Sequence, residues 1–313
     1  MSLRIAIISA PRAGNTWVHH MLMDAYGIPG YAVHNPDDLD WAGLPTDCSV
    51  QIHWHRTPSF VRALADARFR VVTLVRHPLD TLISVLQFCQ NDSSTLRWLE
   101  GEYGDERPIY GAMPCSAAFR AYATGARAAV LLEVGREWWA DAGGGVRYED
   151  LVADPAGGLE RLTAALGAQP RRPVAEVIDR TTLPRMRERV GSNHHFWQGR
   201  PGLWKLLLTA PVADEVAGVH RAYCKEFAYA CDPDPELTPA QADANWVACL
   251  AWQIEVRRRQ QRAQAGFLKQ SEARCAHLEQ VRGQLELERG QLEARLSEAV
   301  RRLQSAEQEL QRY

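Results

Sequence analysis

Residues 3–17 read Leu3-Arg4-Ile5-Ala6-Ile7-Ile8-Ser9-Ala10-Pro11-Arg12-Ala13-Gly14-Asn15-Thr16-Trp17. Leu3 to Ser9 is a compact, β-branched apolar run, the pattern of a strand buried on both faces of a parallel sheet. Pro11 to Asn15 carries turn residues, and Thr16 to Tyr26 has helical character. A strand that feeds a small-residue turn and then opens a helix is suited to an anion. The first N–H groups of a helix lack intrahelical partners and carry partial positive charge. Arg12 adds a full charge and Thr16 a hydroxyl donor. The GxxxxGK[ST] pattern is absent, so Mg²⁺-dependent phosphoryl transfer loses its best support.

Working outward, strands and helices alternate. Val50–Trp54 reads as a second strand and Pro58–Ala67 as a helix. Val71–Val75 is a third strand and Leu79–Phe88 a helix. Residues 90–114 are polar and punctuated by Gly and Pro, as in a substrate-side loop. Ala117–Ala142 reads as one long helix ended by Gly143-Gly144-Gly145, with a short strand at Val146-Arg147-Tyr148. Glu149–Leu166 and Pro173–Arg180 read as helices. The alternation predicts an α/β fold: a doubly wound parallel sheet with a P-loop-like phosphate-binding turn. Ligands in such sheets lie beyond the carboxyl ends of the strands.

After Pro239 the composition changes to Glu, Gln, Arg, Ala and Leu without proline. Leu278, Leu285, Leu292, Ala299 and Ala306 recur every seven residues. Arg282, Arg289, Leu296, Leu303 and Leu310 hold the complementary seam position. This is the spacing of a coiled coil. It predicts a long C-terminal helix that forms a homo-oligomer or docks a partner protein; a lone amphipathic helix is the alternative. The expected division is a domain over residues 1–238 and a helical extension over 239–313.

The chain has 313 residues, 46% of them apolar and 24% charged, with a formal net charge of −2. Nothing global favours nucleic acid or an anionic membrane, so any anion site must be local. Ile5–Ile8 is too short for a signal-peptide core, and no stretch approaches the roughly 20 apolar residues of a membrane span. A cytoplasmic protein is expected. The seven cysteines include no CxxC pair, which argues against structural zinc or a disulfide framework. No metal is expected.

A second motif follows the third strand: Val75-Arg76-His77-Pro78-Leu79-Asp80-Thr81-Leu82-Ile83-Ser84. An arginine at the end of a buried strand needs an anion or a carboxylate. With Ser84 on the next helix it suits a phosphate monoester; the structural alternative pairs Arg76 with Asp80. Here the sequence resembles the PAPS-dependent sulfotransferases, which transfer a sulfuryl group from 3'-phosphoadenosine-5'-phosphosulfate. Pro11–Trp17, PRAGNTW, resembles their PKSGTTW loop. Arg76, Pro78, Asp80 and Ser84 match their 3'-phosphate element. Arg147-Tyr148-Glu149-Asp150-Leu151 resembles their RYEDL segment. Gly199-Arg200-Pro201-Gly202-Leu203-Trp204-Lys205 resembles their late GxxGxWK loop. The four pieces stand in family order over residues 3 to about 230, and the tail lies outside the resemblance.

The resemblance implies that Arg12, Ala13, Gly14, Asn15, Thr16 and Trp17 hold the 5'-phosphosulfate, with Trp17 beside the adenine. Arg76 and Ser84 would take the 3'-phosphate, Tyr148 the adenine, and Gly199, Arg200 and Gly202 would close over the 3'-phosphate side. The sequence departs from the family where Arg12 replaces the loop lysine and Trp197-Gln198 replaces a basic pair. Arginine keeps the charge but forks onto two oxygens where lysine offers a compact ammonium, so its contact with the leaving oxygen differs from the family's. Sulfuryl transfer needs a base, and histidine suits neutral pH. His53 and His55 close the second strand, and period-two geometry puts them on one face. The family's histidine lies about twenty residues before the 3'-phosphate arginine. That spacing selects His55, with His53 the alternative. The expected reaction is in-line transfer to a hydroxyl or amine of a small-molecule, natural-product or carbohydrate acceptor, without metal, leaving 3'-phosphoadenosine-5'-phosphate (PAP). Residues 90–114 and 180–198 are expected to shape the acceptor pocket, and His194 and His195 to be loop residues. A nucleotide-dependent kinase and a non-catalytic coiled-coil scaffold are the competing readings.

Overall fold

The computed structural model describes residues 2–140, 142–190 and 195–310. The chain divides into two compact units, Met1–Trp252 and Gln253–Tyr313. In the first, β1 (Arg4–Ile8) is followed by α1 (Asn15–Tyr26), β2 (Gly30–Val33), β3 (Cys48–Ile52), α2 (Pro58–Asp66), β4 (Phe69–Val75) and α3 (Pro78–Cys89). Then come α4 (Ala117–Ala123), α5 (Ala126–Trp139), β5 (Gly144–Arg147), α6 (Tyr148–Ala153), α7 (Pro155–Ala165), α8 (Val174–Arg180) and α9 (Leu183–Val190). After the late loop lie α10 (Ala210–Val219) and α11 (Arg221–Glu226), and α12 runs over Pro239–Leu310.

The five strands form one parallel sheet in the order β2-β3-β1-β4-β5. Central β1 pairs Ala6 with Val50 on one side and with Val71 on the other. Its Ile5, Ala6, Ile7 and Ile8 are fully buried, as expected for a strand covered on both faces. The chain leaves β1 toward the β2 edge and leaves β4 toward the β5 edge. The carboxyl ends of these adjacent strands therefore open a crevice between diverging connections, where doubly wound sheets bind ligands. Every residue of α3 is buried, which seats its polar Asp80 and Ser84 inside the molecule.

Several local expectations change. The edge strand β2 was not expected: its apolar run is only Tyr31-Ala32-Val33, short and partly exposed, as an edge covered only in part allows. The expected 117–142 helix breaks at Gly125, which leaves helical conformation at φ −88°, ψ 171°. The 149–166 helix breaks at Asp154, since the residue before a proline disfavours α geometry. Its carboxylate then accepts from the Gly157 N–H at 2.9 Å and caps α7. Gly144 and Gly145 lie inside β5 rather than ahead of it; a Cβ on Gly145 would stand 3.2 Å from the Trp139 ring.

The first turns of α12 belong to the first unit. Ala242 and Trp246 are buried, and the Trp246 ring meets Trp197 at 5.6 Å. The second unit is helix throughout its described residues, with Leu278, Leu285, Leu292, Leu296 and Leu303 all exposed. All seven cysteines are free thiols. Among the described residues, no helix is long and apolar enough to cross a membrane.

Candidate functional site

The turn after β1 is tightly wound. The Ala13 N–H donates to the Ala10 carbonyl at 3.2 Å, and Ala13 is buried in the core. Arg12 holds a left-handed φ of 66°, a conformation that stores strain in a residue with a Cβ and clusters at functional sites. Gly14 has φ +106° and ends the turn; no side chain caps α1 behind it. The amides that open α1 are therefore left for a ligand.

Two guanidinium groups meet above this turn. Arg12 donates from Nε to the Ser84 hydroxyl at 3.1 Å and lies 4.3 Å over the Phe88 ring. Arg76 donates from Nη1 to the Arg12 carbonyl at 3.1 Å and lies 4.5 Å over the Tyr148 ring. Burial, and then the neighbouring Arg76 charge, pull the Arg12 pKa down to about 9. Arg76 is itself buried, makes no ion pair among the described residues, and leaves its Nε without a partner. Asp92 offsets part of the Arg12 charge, but Arg76 has no such carboxylate among the described residues, and desolvating two like charges together favours an anion in the space between them.

Arg76 is not neutralised by Asp80. The Asp80 carboxylate instead accepts from the Gly202 N–H at 2.6 Å and the Trp204 N–H at 3.1 Å. It thereby ties the late loop to α3, the helix that carries Ser84. Tyr148 completes the join: its hydroxyl donates to the Gly199 carbonyl at 3.0 Å and its ring meets Trp17 edge-on at 6.2 Å. Burial raises the Tyr148 pKa, so the phenol stays protonated as a donor. Trp17 donates from Nε1 to the Thr181 carbonyl at 2.9 Å.

A cavity of about 170 Å³ lies among these groups. Arg12, Gly14, Asn15, Thr16 and Trp17 line it on the turn side, with Arg76 just after β4, Ser84 on α3, Tyr148 at the start of α6, and Gly199 from the late loop. Ala13, Gly202, Arg200, His53 and His55 lie outside the lining. Gly202 acts through Asp80, and Arg200 is exposed. Thr181, Leu183 and Phe196 also line the cavity. All three fall in the 180–198 stretch expected to shape a pocket, though no motif singled them out; Leu183 opens α9. His195 lines the cavity too, and its carbonyl accepts from Arg12 Nη2 at 3.2 Å; His194 lies outside the described residues.

The two candidate bases part company. The strand ends at Ile52, so strict alternation no longer governs His53 and His55. His53 Nδ1 lies 2.8 Å from the Ser9 carbonyl, which fixes the proton on Nδ1 and leaves Nε2 as acceptor. Asn15, which lines the cavity, places its amide nitrogen 3.2 Å from that Nε2. Burial lowers the His53 pKa to about 4. His55 sits between two carboxylates, with Nδ1 3.0 Å from Glu137 and Nε2 3.1 Å from Glu102. The hydrogen bond to Glu137 raises its pKa above the ordinary value.

An aromatic stack, invisible in the motifs, joins the site's two halves. Phe88, under Arg12, stacks on Trp98 at 5.7 Å and 10°. The Trp98 ring in turn meets His53 at 6.1 Å. Among the described residues no group of three or more His, Cys, Asp or Glu is placed to hold a metal ion.

No family model matches the chain, and no curated protein matches it in sequence. Solved structures match its fold. Mouse sulfotransferase SULT7A1, solved in complex with PAP, aligns with a TM-score of 0.55 at 17% identity over 72% of this chain and 88% of that one. Retinol dehydratase, solved with androsterone and the inactive cofactor PAP, aligns with a TM-score of 0.50 at 14% identity over 71% and 81%. The chain has the sulfotransferase fold.

Proposed function

Starting from that fold, we propose that this chain is a PAPS-dependent sulfotransferase acting on a hydroxyl or amine of a small-molecule, natural-product or carbohydrate acceptor. One observation carries the reading: Arg12 and Arg76, both desolvated, converge beside Ser84 and the open α1 amides, with Arg76 Nε still lacking a partner. Such a pair fits a ligand bearing phosphate and phosphosulfate groups. The donor would supply an activated sulfuryl group. Arg76, with Ser84, would hold the 3'-phosphate; Arg12 and the amides from Gly14 to Thr16 would hold the 5'-group and its developing charge. Trp17 and Tyr148 would flank the adenine.

His53 is the base this geometry favours. Its Nδ1 is anchored on Ser9 and its Nε2 reaches Asn15 at the cavity wall; for this role Asn15 must release Nε2, and the lowered pKa leaves the ring neutral at pH 7 but a weak proton acceptor. His55 is the second reading, favoured by Glu137, which orients its ring as a carboxylate orients a catalytic histidine. For that role Glu102 must vacate Nε2. The tail would serve self-association, and a cytoplasmic location accords with the free thiols.

The test is calorimetry of PAP against adenosine 5'-monophosphate and ATP with Mg²⁺. PAP should bind tightest, and Arg76→Ala should weaken it by about 10- to 100-fold, as expected for a lost charge-assisted contact of about 1.5–3 kcal/mol. Preference for ATP with Mg²⁺ would promote a kinase, and absence of nucleotide binding a scaffold.

A further inference from the structure

The exposed face of the second unit has an internal symmetry that names its partner. From Leu285 to Leu303 the seam reads Leu285, Arg289, Leu292, Leu296, Ala299, Leu303, alternating four and three residues apart. The four leucines are each about 60% exposed or more: 59%, 63%, 66% and 65% in chain order. Read backwards, the spacing is the same, and the one large charged residue exchanges places with the one small residue. Seam residues of paired helices face each other across the axis, and a large residue packs best against a small one.

We propose that the tail pairs with a second copy of this chain, antiparallel, about a two-fold axis at Ala294. This rests on the reading of the tail as a self-associating helix and not on the sulfotransferase reading. In this register Leu285 meets Leu303 of the second copy and Leu292 meets its Leu296. Arg289 meets its Ala299, and the three contacts repeat on the other side of the axis. The aliphatic stem of Arg289 covers the alanine, while its guanidinium is met within its own helix by Glu293 at 3.5 Å. A parallel pair would stack Arg289 on Arg289 and Arg282 on Arg282 in the seam.

The flanks distinguish the two orientations further. Antiparallel pairing sets Glu288 opposite Arg302 of the second copy, twice; parallel pairing sets Glu288 opposite Glu293. The antiparallel flanks also bring like charges together, at Glu279 with Glu307 and across the axis at Glu293 and Arg295. Those positions are exposed, where repulsion is weak. The seam, where charge must be desolvated, therefore sets the orientation.

The experiment uses the full chain with Cys275→Ser, which removes the exposed thiol of the second unit. Sedimentation equilibrium should give a dimer. Under mild oxidation, Leu292→Cys/Leu296→Cys should form disulfide-linked dimers, as should a mixture of Arg289→Cys and Ala299→Cys chains. Arg289→Cys alone should not. Glu288→Arg should raise the dimer dissociation constant several-fold, and Arg302→Glu added to it should restore the original value. A monomer at tens of micromolar, a higher oligomer, efficient self-crosslinking of Arg289→Cys, or a tighter dimer from Glu288→Arg would each overturn the proposal. PAP binding is a separate readout, so failure here leaves the donor-site reading where it stood.

Discussion

Gly14 answers two demands at once. Its φ of +106° is open to glycine alone among common residues, and a Cβ there would stand 2.5 Å from the Tyr148 ring. Gly14→Ala should therefore lower stability by roughly 1–3 kcal/mol from backbone strain and displace Tyr148 from the cavity, read as a lower urea midpoint together with weaker PAP binding. The histidines separate by pH. A base must be neutral in the free enzyme, and kcat/KM reports that ionisation. If His53 is the base, kcat/KM stays level from pH 8 down to about pH 5 and falls only toward its pKa of about 4. If His55 is the base, the fall begins above pH 6.5, because its pKa is raised. Stability moves in opposite directions for the two. His53, with its folded pKa depressed, costs stability as pH falls from about 6.5 toward 4, where the unfolded chain binds the proton first. The stability from His55, with its folded pKa raised, is complete below about 6.5 and lost as pH rises through the folded value. His53→Gln should abolish the first dependence and His55→Gln the second, in pH-resolved urea titrations. The turn residues and Arg76 were legible because helix amides and strand ends are local features. The choice between the histidines was not, because it turns on where β3 stops and on Glu102 and Glu137, remote in sequence.

At the scale of elements, the irregular 90–114 segment is held by a buried pair. Arg127 on α5 donates from Nε to Glu106 at 2.9 Å, and both are almost wholly buried. It also donates to the carbonyls of Glu102 and Trp98 at 3.0 and 3.1 Å. One guanidinium thus anchors the backbone that carries both His55's carboxylate and the Trp98 ring. Arg127→Met should cost about 3–5 kcal/mol, the usual price of leaving a buried partner charged and alone, measured by chemical unfolding. Phe88→Leu should leave the fold intact but weaken PAP binding a few-fold, since the ring face under Arg12 contributes about 0.5–2 kcal/mol. The sequence showed residues 90–114 as an irregular region but gave no sign of this anchor. Left-handed φ values at Leu99, Glu100 and Tyr103 depend on tertiary contacts and not on local propensity.

Across the whole molecule, the parallel alternation was readable because each buried strand announces itself by composition; only the edge strand β2 escaped. The composition change at Pro239 marks where the last helix begins, while the compact units part at Trp252. Truncation after residue 252 should leave PAP binding within about twofold of the full chain. Truncation after residue 238 should destabilise the remainder by about 3–5 kcal/mol, because it deletes the buried Trp246. It also removes the Cys249 carbonyl, which accepts from Trp197 and Gln198 at 3.0 and 3.2 Å. Thermal melts of both truncated chains check this pair of outcomes. The twin guanidiniums have a practical consequence for anyone handling the protein. A buried arginine pair with Arg76 lacking a carboxylate partner among the described residues recruits whatever oxyanion the medium offers, so phosphate or sulfate buffers should act as competitors, raising the melting temperature by occupancy while masking nucleotide affinity. In chloride-based zwitterionic buffer the chain should melt lower and bind nucleotide more tightly.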